Sequence, residues 1–254
     1  MANTSPDAGA GWPQGYGRAV FDSLPSTNAA ALAADGPIWI MAHQQTAGRG
    51  RRARSWDSPR GNLYASLCLH PHDPPAQMAL RSFAAALALR GALIAAGVAG
   101  DMITLKWPND VLLSGRKVAG ILLESSPRGA LACLGIGFGV NLATHPDMGA
   151  VEVGATPPTS VLREAGLTIA PEAFLTHLAA SYALREAQFA QSGFAPIRLD
   201  FLAHAARIGE VITARLGAGA AHTGRYETIG ETGNLILTTA AGRMAISAAD
   251  VFFG

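Results

Sequence analysis

Net charge is scarce in this sequence. Nineteen Lys and Arg stand against eighteen Asp and Glu, leaving a formal +1 over 254 residues. A protein that grips long polyanions needs a basic surface, so general nucleic-acid binding is argued against, and any anion held here is small and bound locally. Cysteine is nearly absent: Cys68 and Cys133 are the only two, each in an apolar run (YASLCLH and LACLGIGFG). They read as buried free thiols with no disulfide framework, which suits a reducing, cytoplasmic compartment. The opening MANTSPDAGAGWPQGYG lacks the basic start and apolar core of a secretory signal and reads as a disordered lead-in over 1–17. No apolar run reaches membrane-spanning length without Arg, Gly or polar breaks, so no membrane partner is expected. The seven histidines show no HExxH or other zinc spacing.

What is present is ample apolar material, 49% of residues, enough for one large domain or one large and one small. Asn28–Ala34 reads as a short helix stopped by Asp35-Gly36-Pro37. Ile38–Ala42 and Leu63–Leu69 read as strands, and Gln77–Ala96 as one long helix. Short strands follow at Ile103–Trp107, Val111–Leu113, Val118–Glu124 and Leu131–Leu142, then a second long helix over Pro171–Gln191 with proline near its start. From Gly209 to Phe253 short alternating runs separated by turns suggest a small barrel. The expected division is a catalytic domain over 18–206 and a barrel over 207–254.

Four stretches carry chemistry. In TAGRGRRARSW, Arg49, Arg51, Arg52 and Arg54 present planar forks that match phosphate and carboxylate, while Gly48 and Gly50 let backbone N–H groups approach an anion. Taken alone, this loop also suits a solvated surface or an RNA contact; it lacks the lysine-hydroxyl ending of a Walker A loop. In LKWPNDVLLSGRKVAGILLE two turns would bring Lys106, Asn109, Asp110 and Lys117 to one end of a sheet: lysines to neutralise oxyanions, Asn to orient, Asp to hold a metal. In GIGFGVN glycines at alternate positions leave one strand face bare, as where a ligand or another chain segment comes close. In SLPSTN, Ser26 or Thr27 also suits a helix cap.

Together and in this order, SLPSTN, QTAGRGRRAR-S-W-D-SPRGNLYAS, LKWPND, RKVAGILLE and GIGFGVN resemble the signature blocks of biotin protein ligases, spanning about half the chain. The resemblance implies an α+β catalytic domain, a mixed sheet flanked by helices, followed by an SH3-like barrel. It implies activation of biotin by ATP and Mg2+ to biotinyl-5′-AMP, then transfer to a lysine of a biotin carboxyl carrier protein, with a homodimer as one allowed assembly. Carried over residue by residue, Ser26, Thr27, Asn28 and Gln45 contact biotin, as do Arg49, Gly50, Arg51, Lys117, Gly120, Gly137 and Gly139. Arg51, Arg54, Trp56, Lys106, Asn109, Lys117 and Asn141 face the nucleotide. Lys117, Arg51 and Asp110 carry catalysis, with Asp110 as metal ligand. The arginine loop becomes a mobile lid over the acyl-adenylate.

Two departures stand out. Ala53 sits where relatives often have glycine, and it cannot freely take positive φ. Too little chain precedes Ser26 for an operator-binding helix-turn-helix, so no DNA partner is expected. The alternatives are a lipoate or octanoate ligase of the same fold, disfavoured by GRGRR and KWPND, and an RNA-binding module, disfavoured by the lack of aromatics among the arginines.

Overall fold

The computed structural model describes residues 3–4, 11–128, 131–148, 154–216 and 219–253. Its large sheet comprises β1 (Asn3–Thr4), β2 (Gly17–Phe21), β3 (Ile38–Ala42), β4 (Leu63–Leu69), β5 (Ile103–Lys106), β6 (Asp110–Leu113), β7 (Arg116–Arg128) and β8 (Leu131–Val140). The order is β1-β2-β3-β4-β8-β7-β6-β5. β2 and β3 run parallel and the other neighbours antiparallel, so the sheet is mixed. β4 is central and buried along nearly its whole length, which explains a run (LYASLCL) apolar on both faces.

α2 (Pro75–Ala79), α3 (Arg81–Ala95), α5 (Pro171–Ser192) and α6 (Phe194–Ala203) cover one face, and α4 (Val161–Ala165) follows a loop from β8. Trp39, Phe138 and Tyr182 meet in the middle of this core at ring separations of 5.4–6.3 Å. The single helix expected over Gln77–Ala96 is two. Pro75 takes the first helical position, where its missing N–H costs nothing, and the first segment closes at Leu80. This stretch, Pro75–Ala95, is long and apolar enough to cross a membrane by composition alone, yet α3 lies buried against α5 in the core. On the other face lies α1 (Thr27–Ala33) over a small apolar cluster of Ala31, Ile40, Cys68 and Cys133. The two thiols are buried with their sulfurs 3.5 Å apart, and Cys133 Sγ donates to Ala31 O near the end of α1.

The lead-in departs from expectation where it is described. Trp12 and Tyr16 pack on the main core, Trp12 Nε1 donates to Tyr16 O at 2.8 Å, and Arg18 stacks over the Trp12 ring. Indole burial outweighs the local turn composition. Of the remaining lead-in, 1–2 and 5–10 lie outside the described residues.

A five-stranded antiparallel sheet forms the terminal unit: β9 (Val211–Arg215), β10 (Ala221–Ile229), β11 (Leu235–Thr239), β12 (Gly242–Ile246) and β13 (Asp250–Phe252), ordered β12-β11-β10-β9-β13. It is seated on the large sheet. Leu105 N donates to His204 O and Ala206 N to Leu105 O, both at 2.8 Å. Trp107 Nε1 donates to Gly233 O at 3.0 Å, and one apolar cluster runs from Leu105 and Trp107 to Ile212 and Leu235. That seating carries β13 to the rim of the catalytic sheet.

Candidate active site

The start of α1 provides the neutral part of the site. Ser26 caps the helix, accepting from Ala29 N, so the capping reading holds while its neighbours turn inward. Thr27 and Asn28 are buried. Gln45 Oε1 accepts from Thr27 N at 2.8 Å and Thr27 Oγ1 at 3.1 Å, and Gln45 Nε2 donates to Ser58 Oγ at 3.1 Å. Ser66 Oγ, from β4, donates to Thr27 Oγ1 at 2.9 Å. The Asn28 amide donates to Glu124 Oε2 at 2.5 Å. Its Oδ1 is buried and, among the described residues, has no hydrogen-bond partner. A buried acceptor left without a donor is costly, so this oxygen suits a ligand N–H.

The bare face of β8 has specific fillers. A Cβ on Gly137 would lie 3.1 Å from Asn28 Oδ1, and one on Gly139 would lie 2.6 Å from the Trp56 ring. A Cβ on Gly120 of β7 would lie 3.1 Å from the same ring. Here the structure shows which atoms come close. Gly137 and Gly139 make room for the protein's own Asn28 and Trp56, which in turn wall the cavity.

Lys117 reaches the site through a bulge. Across β6 and β7, Asp110 pairs with Gly120 and Val111 with Ala119, but Leu112 pairs with Lys117. The extra residue, Val118, puts Lys117 on the face of Asp110 and Gly120; unbroken alternation would turn it the other way. Lys117 Nζ lies 2.7 Å from Asp110 Oδ1 and 5.4 Å from the Trp56 ring centre. Its backbone is clamped from both sides, Lys117 N donating to Pro157 O at 2.8 Å and Thr159 N to Lys117 O at 2.9 Å. Lys106 is buried beside it, donating to Thr156 Oγ1 at 2.7 Å. Burial pulls the Lys106 ammonium pKa down, Lys117 adds to that, and Asp110 opposes it.

Three of the expected residues also have partners within the protein. Asp110, expected as a metal ligand, has its Oδ1 buried 2.7 Å from Lys117 Nζ as an ion pair. Asn109 is fixed by donating to Ile121 O at 2.6 Å, leaving its Oδ1 to accept from Arg51 at 3.4 Å. Asn141 lines the cavity but donates to Thr159 O at 3.0 Å, holding the strand that clamps Lys117.

The arginine loop is a folded turn: Gly50 N donates to Arg54 O at 2.8 Å and Trp56 N to Gly48 O at 3.0 Å. Arg52, rather than Ala53, takes the left-handed backbone, at φ 55°. Arg49 lies 3.4 Å from Glu124. The other three converge on one carboxylate of β13. Arg52 Nη1 and Arg54 Nη2 lie 2.6 and 2.7 Å from Asp250 Oδ2, and Arg51 Nη1 lies 3.7 Å from Oδ1. Arg51 also donates to Ala249 O at 3.2 Å. Burial lowers the Arg51 pKa, against which Asp250 and Asp110 pull upward. Arg54, expected at the nucleotide, lines the cavity while bound to Asp250.

These parts enclose a cavity of about 570 Å³. Every residue expected at the site lines it: Ser26, Thr27, Asn28 and Gln45 at one end, Lys106, Asn109, Asp110, Lys117 and Asn141 at the other, with Arg49, Gly50, Arg51, Arg54, Trp56, Gly120, Gly137 and Gly139 between. Sequence reasoning missed Glu124, Thr156 and the terminal trio Asp250, Val251 and Phe252, which also border the cavity or tie its walls. The one sequence signal for the trio was an isolated carboxylate opening the apolar DVFF.

Residues 20–141 match the Biotin/lipoate A/B protein ligase family, and residues 208–254 match the Biotin protein ligase C terminal domain. The chain is 52% identical over 234 residues to a biotin–[acetyl-CoA-carboxylase] ligase of Paracoccus denitrificans, covering 90% of this chain and 97% of that one. It is 34% identical to the bifunctional ligase/repressor BirA of Bacillus subtilis, covering 85% of this chain and 66% of that one. In fold it resembles the biotin protein ligase from Aquifex aeolicus solved with biotin and ATP, with a TM-score of 0.77 at 21% identity, covering 92% and 97% of the two chains. By these matches the chain belongs to the biotin protein ligases of the biotin/lipoate A/B protein ligase family.

Proposed function

We infer that this chain is an ATP-dependent biotin protein ligase. It activates biotin as biotinyl-5′-AMP and passes the biotinyl group to a lysine of a biotin carboxyl carrier protein. One observation carries the reading: a neutral hydrogen-bonding end (Thr27, Asn28, Gln45) adjoins a cationic end (Lys106, Lys117, Arg51) in a single cavity. A ureido ring offers N–H donors and a carbonyl acceptor without charge, matching the first end. A carboxylate and a triphosphate repel each other and need the second.

In the first step a biotin carboxylate oxygen bonds to the α-phosphorus and the bond to pyrophosphate breaks. Lys117, held by its clamped backbone, supplies positive charge where α-phosphate charge develops. Arg51, held by contacts of 3.2–3.7 Å to Ala249 O, Asn109 and Asp250, is the fork that turns to the carboxylate and phosphate. Asp110, whose buried carboxylate lines this end of the cavity, would help hold a Mg2+ accompanying ATP, and the ion would neutralise phosphate charge. In the second step the carrier amine attacks the acyl carbon, AMP leaves, and an amide remains. We place the reaction in the cytoplasm, where thiols such as Cys68 and Cys133 stay reduced.

The test is ATP–pyrophosphate exchange by the purified protein. Exchange that depends on biotin, with lipoate and octanoate inert, is the expected result. Exchange driven by lipoate would transfer the chain to the sister activity.

A further inference from the structure

We propose that Asp250 is the positioning residue of the arginine loop, a carboxylate supplied by the terminal sheet that anchors the loop through Arg52 and Arg54 and leaves Arg51 to the substrate. The inference rests on the ligase reading for its consequence, but its geometry stands on this chain's contacts alone.

Four arginines fall between Arg49 and Arg54, and like charges this close push a loop open. Asp250 Oδ2 takes two guanidinium groups, at 2.6 Å from Arg52 and 2.7 Å from Arg54. The Asp250 side chain is only 16% exposed, so these contacts are screened less than open surface pairs. They lie across 198 and 196 residues of sequence and stitch the loop to β13. Arg52 sits at φ 55°, a left-handed conformation an ordinary side chain adopts at some cost. Its bond to Asp250 holds that turn in place.

The contacts divide the work among the arginines. Arg51 is 3.7 Å from Oδ1 and makes only longer bonds, 3.2 Å to Ala249 O and 3.4 Å to Asn109. It can exchange these for a substrate anion while Arg52 and Arg54 stay fixed. Asp250 thus positions the loop through Arg52 and Arg54. It makes the terminal sheet part of the apparatus that retains the adenylate.

The experiment uses the full-length protein with Asp250→Asn, Asp250→Glu and Arg52→Met. Hydrogen exchange over residues 48–56 is measured without ligand, and release of biotinyl-5′-AMP is timed. Two charge-assisted bonds to a mostly buried carboxylate, discounted for the exposed ends of the arginines, set the scale at about five- to tenfold. Asp250→Asn should speed exchange across the loop and adenylate release by about that factor, with β10 and β11 as protected as before. Asp250→Glu should recover most of both, and Arg52→Met should repeat the loosening from the loop's side. Unchanged protection over 48–56 in both Asp250→Asn and Arg52→Met overturns the proposal. So does slower adenylate release in Asp250→Asn, which would make Asp250 a competitor of the substrate anion. If Asp250→Asn loosens the whole terminal sheet, Arg52→Met decides by the same criterion. A wild-type protein that makes no adenylate from biotin and ATP would sink the ligase reading, and the ligand-free exchange would still decide on the anchor.

Discussion

Arginine is used in two opposite ways in this molecule. Arg81, at the start of α3, is buried and surrounded by partners. Its Nε and Nη2 bond Glu186 at 2.9 and 2.8 Å, its Nη1 lies 2.8 Å from Asp73, and its guanidinium stacks over Phe189. Tyr182 donates to the same Glu186 at 2.9 Å. There, two carboxylates serve one arginine. In the loop over β13, three arginines share one carboxylate. The first arrangement ties one arginine to two carboxylates inside the fold and serves to hold it together. The second gathers its cations at the wall of a cavity, where an anionic substrate would meet them. The contrast is between an arginine locked inside the core and arginines gathered at the mouth of a cavity.

Substitutions can break or sharpen that contrast. The largest loss of stability is expected at Arg81→Ala, which leaves the Glu186 carboxylate without its cation. Breaking a buried pair costs about 3–5 kcal/mol, read as a drop in urea midpoint with an unchanged KM for biotin in the fraction that folds. A stability change below about 1 kcal/mol would mean the pair is merely decorative. Next is Lys117→Ala, which should lower biotin-dependent pyrophosphate exchange by about 10²–10³-fold at near-normal stability. Retention of exchange within about threefold of wild type would remove Lys117 from the chemistry. Arg51→Ala should weaken adenylate binding by about ten- to a hundredfold. Titration with the adenylate checks this, and bystander lysines should become biotinylated as the intermediate escapes. The smallest effect is expected at Arg60→Ala. Arg60 meets Asp22 at 2.7 Å with both side chains open to water, so neither the urea midpoint nor the exchange rate should move measurably.

Much of the site was legible in the sequence because its parts are local blocks. Ser26, Thr27 and Asn28 lie together at a helix start, and Lys106 to Lys117 lie along one meander of strands. Strands β3 and β4 were readable to the residue because uninterrupted apolar runs bounded by Gly and Pro leave little choice. What was not legible depends on distance. Glu124 lies 96 residues from Asn28, and Asp250 lies nearly the whole chain away from Arg52; no local pattern announces either pairing. The bare glycines were readable as a place of close approach, but not which atoms approach, because a missing side chain does not say that Asn28 and Trp56 come nearest. The expected mobile lid likewise overlooked an internal counter-charge, supplied by a terminal sheet that looked independent.

The bulge in β7 has an evolutionary corollary. Lys117 faces the cavity because one residue too many stands between it and Gly120, so its position depends on whether the count is odd or even. Point changes at Val118 can leave the lysine where it is as long as the spacing survives. Removing Val118 keeps every functional side chain in the sequence yet turns the lysine toward the hydrophobic interior, where an unpaired ammonium is not tolerated. Drift along this lineage should therefore be permissive in spelling and strict in length between Asp110 and Gly120, and a single-codon deletion there should abolish adenylation as completely as loss of the lysine itself.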